Sequence, residues 1–321
     1  MNLTRILFLW FNLSFVSTFT GCLSLWASDQ GSPDLRVMSP LSACSLWSSV
    51  YLSDQGSPDL RVMSFNIRNS YARDGANHWE GRKDLVYSVI KDYAPDVLGL
   101  QEANSFQLKE LSNEFTQYGK VGEGSMGGAK GQYSAILFLE ERFKLSDSGS
   151  FWLSETPAEP SKSWGSAHHR ICTWVGLLDR KSQQTIYIYN THMDDGSRKA
   201  REKGARMIME HIQGEAKTTP FVFMGDFNAP EDSETLKIIK GNSEARQNLG
   251  IQMVDSFRVL YPNRKKVGTY NGFTGQSDGP KIDYIMIRPS VKVIEASILQ
   301  TNREGRYPSD HFPVTAHLRI R

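Results

Sequence analysis

The chain has 321 residues, 39% of them hydrophobic and 22% charged, which is ordinary globular composition for one large α/β domain or two small ones. Its net charge of +2 comes without the basic stripe by which dedicated duplex-DNA binders neutralise phosphates. The three cysteines, Cys22, Cys44 and Cys172, match neither a zinc spacing nor a disulfide framework.

Residues 1–21 read as a secretory signal: Arg5, then an apolar run from Ile6 to Val16, with no acidic residue. The run is short and broken by Asn12 and Ser14, which argues against a membrane span. Gly21-Cys22 at its end resembles a bacterial lipobox, with Phe19 where leucine is usual. Cys22 is therefore the candidate lipidation site and membrane anchor, with ordinary cleavage near Ala27 as the alternative. The segment Ser28–Ser39 recurs word for word at Ser53–Ser64, and only the second copy runs on into Phe65-Asn66-Ile67-Arg68. This reads as a local duplication within a Ser-rich tether over residues 22–58, followed by a catalytic domain over 59–321.

From Leu60 short apolar runs alternate with amphipathic stretches, the pattern of buried strands covered by helices. Strands are predicted at Leu60–Ile67, Val97–Gln101, Tyr133–Leu139, Thr173–Leu178, Thr185–Thr191, Phe221–Gly225, Ile282–Ile287, Val291–Gln300 and Val314–Ile320. Helices are predicted at Arg82–Tyr93, Ser105–Phe115 and Ser197–Ile212, and Gly122–Gly131 reads as a flexible polar loop. Cys172 falls in a strand as a buried, inert thiol. Arg198, Arg201 and Arg206 read as a solvated helical face, and Trp152 and Trp174 as core.

Five motifs place polar groups at strand ends: Phe65-Asn66-Ile67-Arg68, Leu100-Gln101-Glu102, Asn190-Thr191-His192-Met193-Asp194, Gly225-Asp226-Phe227-Asn228, and Ile282-Asp283-Tyr284 with Ser309-Asp310-His311. Glu102, Asp226, Asp283 and Asp310 are hard oxygen donors suited to Mg²⁺, and scattered histidines with few cysteines do not suit zinc. His192 and His311 offer proton routes near neutral pH, while Asn66 and Asn228 offer neutral donors. A Gly-Asp-x-Asn alone is often only a turn. It is the ordered set of five that points to phosphate-ester hydrolysis, which needs a positioned water, charge neutralisation and a proton route.

That ordered set resembles the endonuclease/exonuclease/phosphatase superfamily from about Leu60 to Arg321, nearest a bacterial subgroup beside the nocturnin-like deadenylases. The resemblance implies a four-layer α/β sandwich of two mixed β-sheets flanked by helices. It implies Mg²⁺, with Mn²⁺ as a substitute, at Glu102, with Asn66 close by and Asp310 as a further metal or water contact. It implies that Asp226 orients or deprotonates the water, that Asn228 holds the phosphate, and that His311 contacts it with Asp283 fixing its tautomer. His192 would stabilise the transition state or act as general acid, and it separates this chain from the repair-nuclease branch. The stretch from Phe151 to Arg170 resembles the same bacterial subgroup, so that Arg170 would contact phosphate and Trp164 would stack on a base or sugar. The expected substrate is a phosphodiester, single-stranded nucleic acid included, with small or lipid-headgroup phosphates as the alternative and a non-catalytic binding module as a remote one. The expected state is an exported monomer. Replacing Cys22 by serine is expected to release the protein from membranes of its native host, read by fractionation; equal membrane retention would contradict the lipid anchor.

Overall fold

The computed structural model describes residues 59–216, 218–242 and 250–320. The signal segment 1–21, the candidate lipid site Cys22 and the tether 22–58 lie outside the described residues. The catalytic region is built from β1 (Asp59–Asn66), α1 (Trp79–Tyr93), β2 (Val97–Ala103), α2 (Ser105–Glu114), β3 (Tyr118–Val121), β4 (Tyr133–Leu139) and β5 (Phe143–Trp152). It continues through β6 (Ile171–Asp179), β7 (Thr185–His192), α3 (Arg198–Glu215), β8 (Phe221–Asp226), α4 (Glu234–Lys240), β9 (Val254–Asp255), α5 (Ser256–Leu260), β10 (Asp283–Ile287), β11 (Lys292–Ile298) and β12 (Val314–Arg319).

Two six-stranded sheets form, ordered β11-β12-β1-β2-β4-β3 and β5-β6-β7-β8-β10-β9. Each is mixed: β1–β2 and β7–β8 pair in parallel, and the other neighbours pair antiparallel. Period-two alternation assigns the faces. Leu60 and Val62 of β1 meet Val222 and Met224 of β8 in the core between the sheets. Met63 and Phe65 turn outward onto Val86, Val89 and Ile90 of α1 and Leu108 and Leu111 of α2. Phe221 and Phe223 turn outward onto Ile208, Met209 and Ile212 of α3 and Leu236 and Ile239 of α4. Helices, sheet, sheet and helices make the four-layer sandwich that the resemblance implied.

The departures from the sequence pattern have physical reasons. β5 carries the polar run Ser146-Asp147-Ser148 and is largely exposed at a sheet edge, so it shows no apolar signature. β3 is a four-residue edge strand, and α4 and α5 are too short for a periodicity to develop. α1 begins three residues before the expected Arg82, because Trp79 is already buried against the core. The loop 122–131 is internally bonded rather than featureless: Gly124 N–H donates to Gly128 O, Ser125 N–H to Gln132 O and Met126 N–H to Lys130 O. Trp152 fixes it further by donating Nε1–H to Ser125 O at 2.6 Å. Cys172 is buried, and burial pushes its thiol far above the ordinary range, in keeping with an inert core residue.

Phe223 is fully buried and stacks on Phe227 at 4.7 Å between centroids. Phe223→Ala is expected to cost about 3–5 kcal/mol of unfolding free energy through lost burial and the cavity left behind. Urea denaturation measures this, and an unchanged midpoint would contradict the packing.

Candidate active site

Strand direction gathers the polar motifs at one end of the sandwich. β1 ends at Asn66, and β2 carries Glu102 beside it, since Asn66 pairs with Gln101. β12 runs antiparallel to β1, so the residues before it return to the same end, where Ser309 Oγ donates to Asn66 O at 2.7 Å. In the second sheet β7 ends at His192 opposite Asp226, and β10 begins at Asp283, also opposite Asp226.

Asn66 Nδ2 donates to Glu102 Oε1 at 3.1 Å and to Asp226 Oδ2 at 3.0 Å, linking one carboxylate from each sheet. Glu102 Oε2 accepts from Asn69 Nδ2 at 2.8 Å and Asn69 N–H at 3.2 Å. Asp226 Oδ1 accepts from Asn228 N–H at 3.0 Å, while Oδ2 also stands 3.4 Å from His192 Nε2 and 3.7 Å from His311 Nε2. His311 Nδ1 lies 2.9 Å from Asp283 Oδ2, and Asn228 Nδ2 lies 3.0 Å from His192 Nε2. Glu102, Asn228 and Arg68 adopt left-handed backbone with φ of 61°, 48° and 54°, a strained conformation that clusters at functional sites.

The electrostatics divide the two histidines. Burial opposes charge on His311, but Asp283, Asp226 and Asp310 together hold its pKa well above the ordinary range. His192 moves the other way: burial, then the charges of Arg170 and His311, keep it well below 6.5. Burial and the neighbouring Asp283 push Asp226 up to about 7, against the pull of His311 and Asn66. Glu102 is held low, because hydrogen bonds from Asn69 and Asn66 and the charge of His311 outweigh its burial. Two carboxylates of different basicity therefore stand on one amide.

Glu102, His192, Asp226, Asn228 and His311 line a cleft of about 440 Å³ that also takes in Arg68, Asn69, Gln132, His168, Arg170, Asp195, Tyr270 and Asp310. Arg170 is 7% exposed, with Nη2 on Asp195 Oδ1 at 3.0 Å and Nε without a hydrogen-bond partner. Trp164, by contrast, is not among the lining residues; its indole donates to Glu155 Oε1 at 3.1 Å, and its carbonyl takes the Ser197 hydroxyl. The structure thus brings Arg170 to the cleft and leaves Trp164 in the loop wall behind it. Asp194 holds that wall, its Oδ2 accepting from Ser166 Oγ, Ala167 N–H and His168 N–H, and its Oδ1 from Gly196 N–H and Ser197 N–H. Arg201, expected on a solvated face, donates instead to the Asp194 and Asp195 carbonyls.

Several cleft residues escaped the sequence reading. Arg68 closes the Asn66 motif without having been given a role, and Asn69 directly follows it; that adjacency was the available signal. Tyr270, 51% exposed and edge-on to His311 at 5.2 Å, comes from an irregular segment that offers none. Arg82 is a buried clamp rather than a helix opener, donating to the carbonyls of Asn77, Ile67, Pro308 and Arg68. His211 packs against Phe151, Trp174 and Tyr189, away from the cleft.

Two groups of donors could hold a cation. Glu102 and Asp310 are hard oxygen ligands, and the Arg68 guanidinium already lies 4.0 Å from one and 3.6 Å from the other. A positive charge is favoured between them, and the few protein oxygens leave room for the waters that Mg²⁺ retains. Asp226, Asp283 and His311 form a second cluster, their ligand atoms within 4.8 Å of one another. There His311 holds a proton between two carboxylates, and an imidazolium is no metal ligand.

A two-sheet α/β sandwich with a buried carboxylate–histidine–asparagine site at one end defines a class of phosphate-ester hydrolases. The chain belongs to the Endonuclease/Exonuclease/phosphatase family, whose model matches residues 63–311. An endonuclease/exonuclease/phosphatase from Bacteroides vulgatus is 29% identical, with a TM-score of 0.73 over 82% of this chain and 100% of that one. A mannosyl-6-phosphatase from Bacteroides thetaiotaomicron is 31% identical, with a TM-score of 0.71 over 81% and 99%. Nocturnin of Rattus norvegicus is 25% identical over 257 residues, which are 73% of this chain and 56% of nocturnin.

A histidine held neutral by burial makes stability depend on pH. Between its depressed folded pKa and about 6.5, the unfolded chain binds the proton that native His192 refuses, so the contribution of His192 to stability falls as pH drops below about 6.5, opposite in sign to that of Asp226, whose folded pKa is raised. His192→Gln is expected to remove that contribution, so that wild type loses stability relative to the variant as pH falls from 7 to 5 in urea midpoints; a difference that does not change with pH would contradict a buried neutral ring.

Proposed function

We propose that the chain is a divalent-metal-dependent hydrolase that cleaves phosphate esters by in-line attack of water at phosphorus. The observation that carries this reading is the position of Asp226: one buried carboxylate within reach of Asn66, His192 and His311, at the floor of the cleft. Its pKa near 7 suits a group that must take a proton from water at neutral pH. Glu102 and Asp310 would hold the cation, Mg²⁺ or Mn²⁺ by the chemistry of the donors, with Asn66 fixing Glu102. When bound, the ion neutralises phosphoryl oxygens and acidifies water.

The remaining roles belong to the chain's own residues. Asp226 orients the attacking water and accepts its proton, while Asn228 holds both the Asp226 carboxylate and the His192 ring in place. His311, charged and oriented by Asp283, donates Nε2–H to a phosphoryl oxygen. The neutral state of His192 suits a hydrogen bond to the transition state better than general-acid catalysis. Arg170, which lines the cleft and is held by Asp195 at 3.0 Å and by Asp194 at 3.9 Å, supplies a further cation for the phosphate. Export of the enzyme, with anchoring at Cys22, rests on the pattern from Arg5 to Cys22.

Two substrate readings fit this cleft. The first is a phosphodiester of the nuclease or exonuclease type, with single strands or ends favoured by the lack of a basic stripe. The second is a phosphomonoester of a small polar alcohol, favoured by the 31% identity to a mannosyl-6-phosphatase that the chain covers almost completely. A panel of single-stranded RNA and DNA, sugar phosphates, inositol phosphates and sphingomyelin separates them by relative kcat/KM.

Hydrolysis of bis-p-nitrophenyl phosphate is expected to require Mg²⁺ or Mn²⁺ and to cease with EDTA. Asp226→Ala and His311→Ala are each expected to lower turnover at least about 10²–10³-fold, the scale of one positioned catalytic group. Near-normal turnover in either variant would remove that residue from the mechanism.

A further inference from the structure

Beneath the cleft, a buried amide pair ties the two sheets together. Asn190 lies on β7, two residues before His192 and therefore on the same face of the strand. Its side chain is fully buried and crosses from the second sheet to the first. Asn190 Nδ2 donates to Leu100 O at 2.9 Å and to Ala135 O at 2.8 Å, and its Oδ1 accepts from Gln101 Nε2 at 2.7 Å. Gln101 Nε2 also reaches Ser64 Oγ at 3.2 Å, two residues before Asn66 on β1.

The two carbonyls that Asn190 satisfies mark a defect in the ladder. Between β2 and β4 the pairing steps from Leu100↔Ala135 to Ala103↔Tyr133, so β2 advances three residues while β4 advances two. The extra residue is a β-bulge at Gln101-Glu102, and Glu102 takes its left-handed φ of 61° there. A bulge withdraws backbone groups from strand pairing, and buried carbonyls must then find other donors. The opposite sheet supplies them. Gly99 makes the approach possible, since a Cβ at that position would stand 3.0 Å from Asn190 Cγ and 2.7 Å from Met224 Cε.

We propose that Asn190 is a positioning residue for the metal-binding carboxylate: it reaches across the sandwich to stabilise the β2 bulge that aims Glu102 into the cleft. It thereby sets Glu102, on the first sheet, in register with His192 and Asp226, on the second. This rests on the reading of Glu102 as the principal metal ligand. Asn190 touches neither the substrate nor the cation, so its loss acts on metal affinity and turnover while leaving substrate binding nearly alone.

The experiment measures Mg²⁺ affinity by calorimetry on the metal-stripped full chain, together with kcat and KM for bis-p-nitrophenyl phosphate. Asn190→Ala is expected to weaken Mg²⁺ binding and to lower kcat by about 10–100-fold each, the scale for losing an outer-shell support, with KM within about 3-fold. Ile239→Val, a core change in α4, is the control for general destabilisation and is expected to leave all three values unchanged. Should Asn190→Ala fail to fold by circular dichroism, Gly99→Ala replaces it. That variant keeps every hydrogen-bonding group and presses on the Asn190 amide and the flexible end of Met224, and the same two losses are expected. A folded variant that keeps wild-type Mg²⁺ affinity and kcat within about 3-fold overturns the proposal, as does an equal loss in Ile239→Val. A wild-type chain that binds no Mg²⁺ overturns instead the metal reading beneath it.

Discussion

The two hydrogens of the Asn66 amide are the constraint on which the site depends. One goes to Glu102 on the first sheet and the other to Asp226 on the second, so a single planar group sets the spacing of two carboxylates that would otherwise repel. The amide is itself held from behind. Its Oδ1 accepts from Arg68 N–H, Ser309 donates to the main-chain carbonyl of Asn66, and Arg82 gathers the carbonyls of Ile67, Arg68 and Pro308 beside it. Burying an arginine without a carboxylate partner is costly, and burial lowers its pKa to about 10. Four carbonyl acceptors offset that cost and bind the turn after β1 to the turn before β12.

From that anchor the division of labour follows. Asp226 is made basic by burial and by Asp283, whereas Glu102 is kept ionised by the amides that face it. His311 stays charged between carboxylates, and His192 stays neutral beside Arg170. Similar residue types thus acquire opposite states from their surroundings, as acid and base chemistry at one pH requires. Left-handed backbone at Arg68, Glu102 and Asn228 shows that local strain accompanies this arrangement, compensated by the packed sheets below.

Much of this was legible in the residues. The buried strands announce themselves through Leu60–Phe65, Val97–Leu100 and Phe221–Met224, because a strand covered on both faces is largely apolar, with Arg61 and Ser64 the polar positions of the first. The site residues were legible as a set, since each ends or adjoins such a strand. Among the edge strands β11 was legible within Val291–Gln300, whereas β5 was not, because it exposes a polar run and needs no apolar face. Nor was the placement of Trp164, which depends on how Asp194 folds the 151–170 loop and not on any local pattern. Arg82 looked like the start of a helix because its role lies in carbonyls far along the chain, 226 residues away for Pro308. Asn190 lay inside a recognised motif, yet its partners Leu100 and Ala135 belong to the other sheet.

On the function proposed, the cation sits on the Glu102 side of the cleft while Asp226, Asp283 and His311 form the hydrogen-bonded cluster opposite. Calorimetric titration of Mg²⁺ into metal-stripped protein tests it directly, comparing wild type with Glu102→Gln and Asp283→Asn. One binding site is expected in wild type, lost in Glu102→Gln and retained in Asp283→Asn. Retention in Glu102→Gln with loss in Asp283→Asn would place the ion in the other cluster and contradict it.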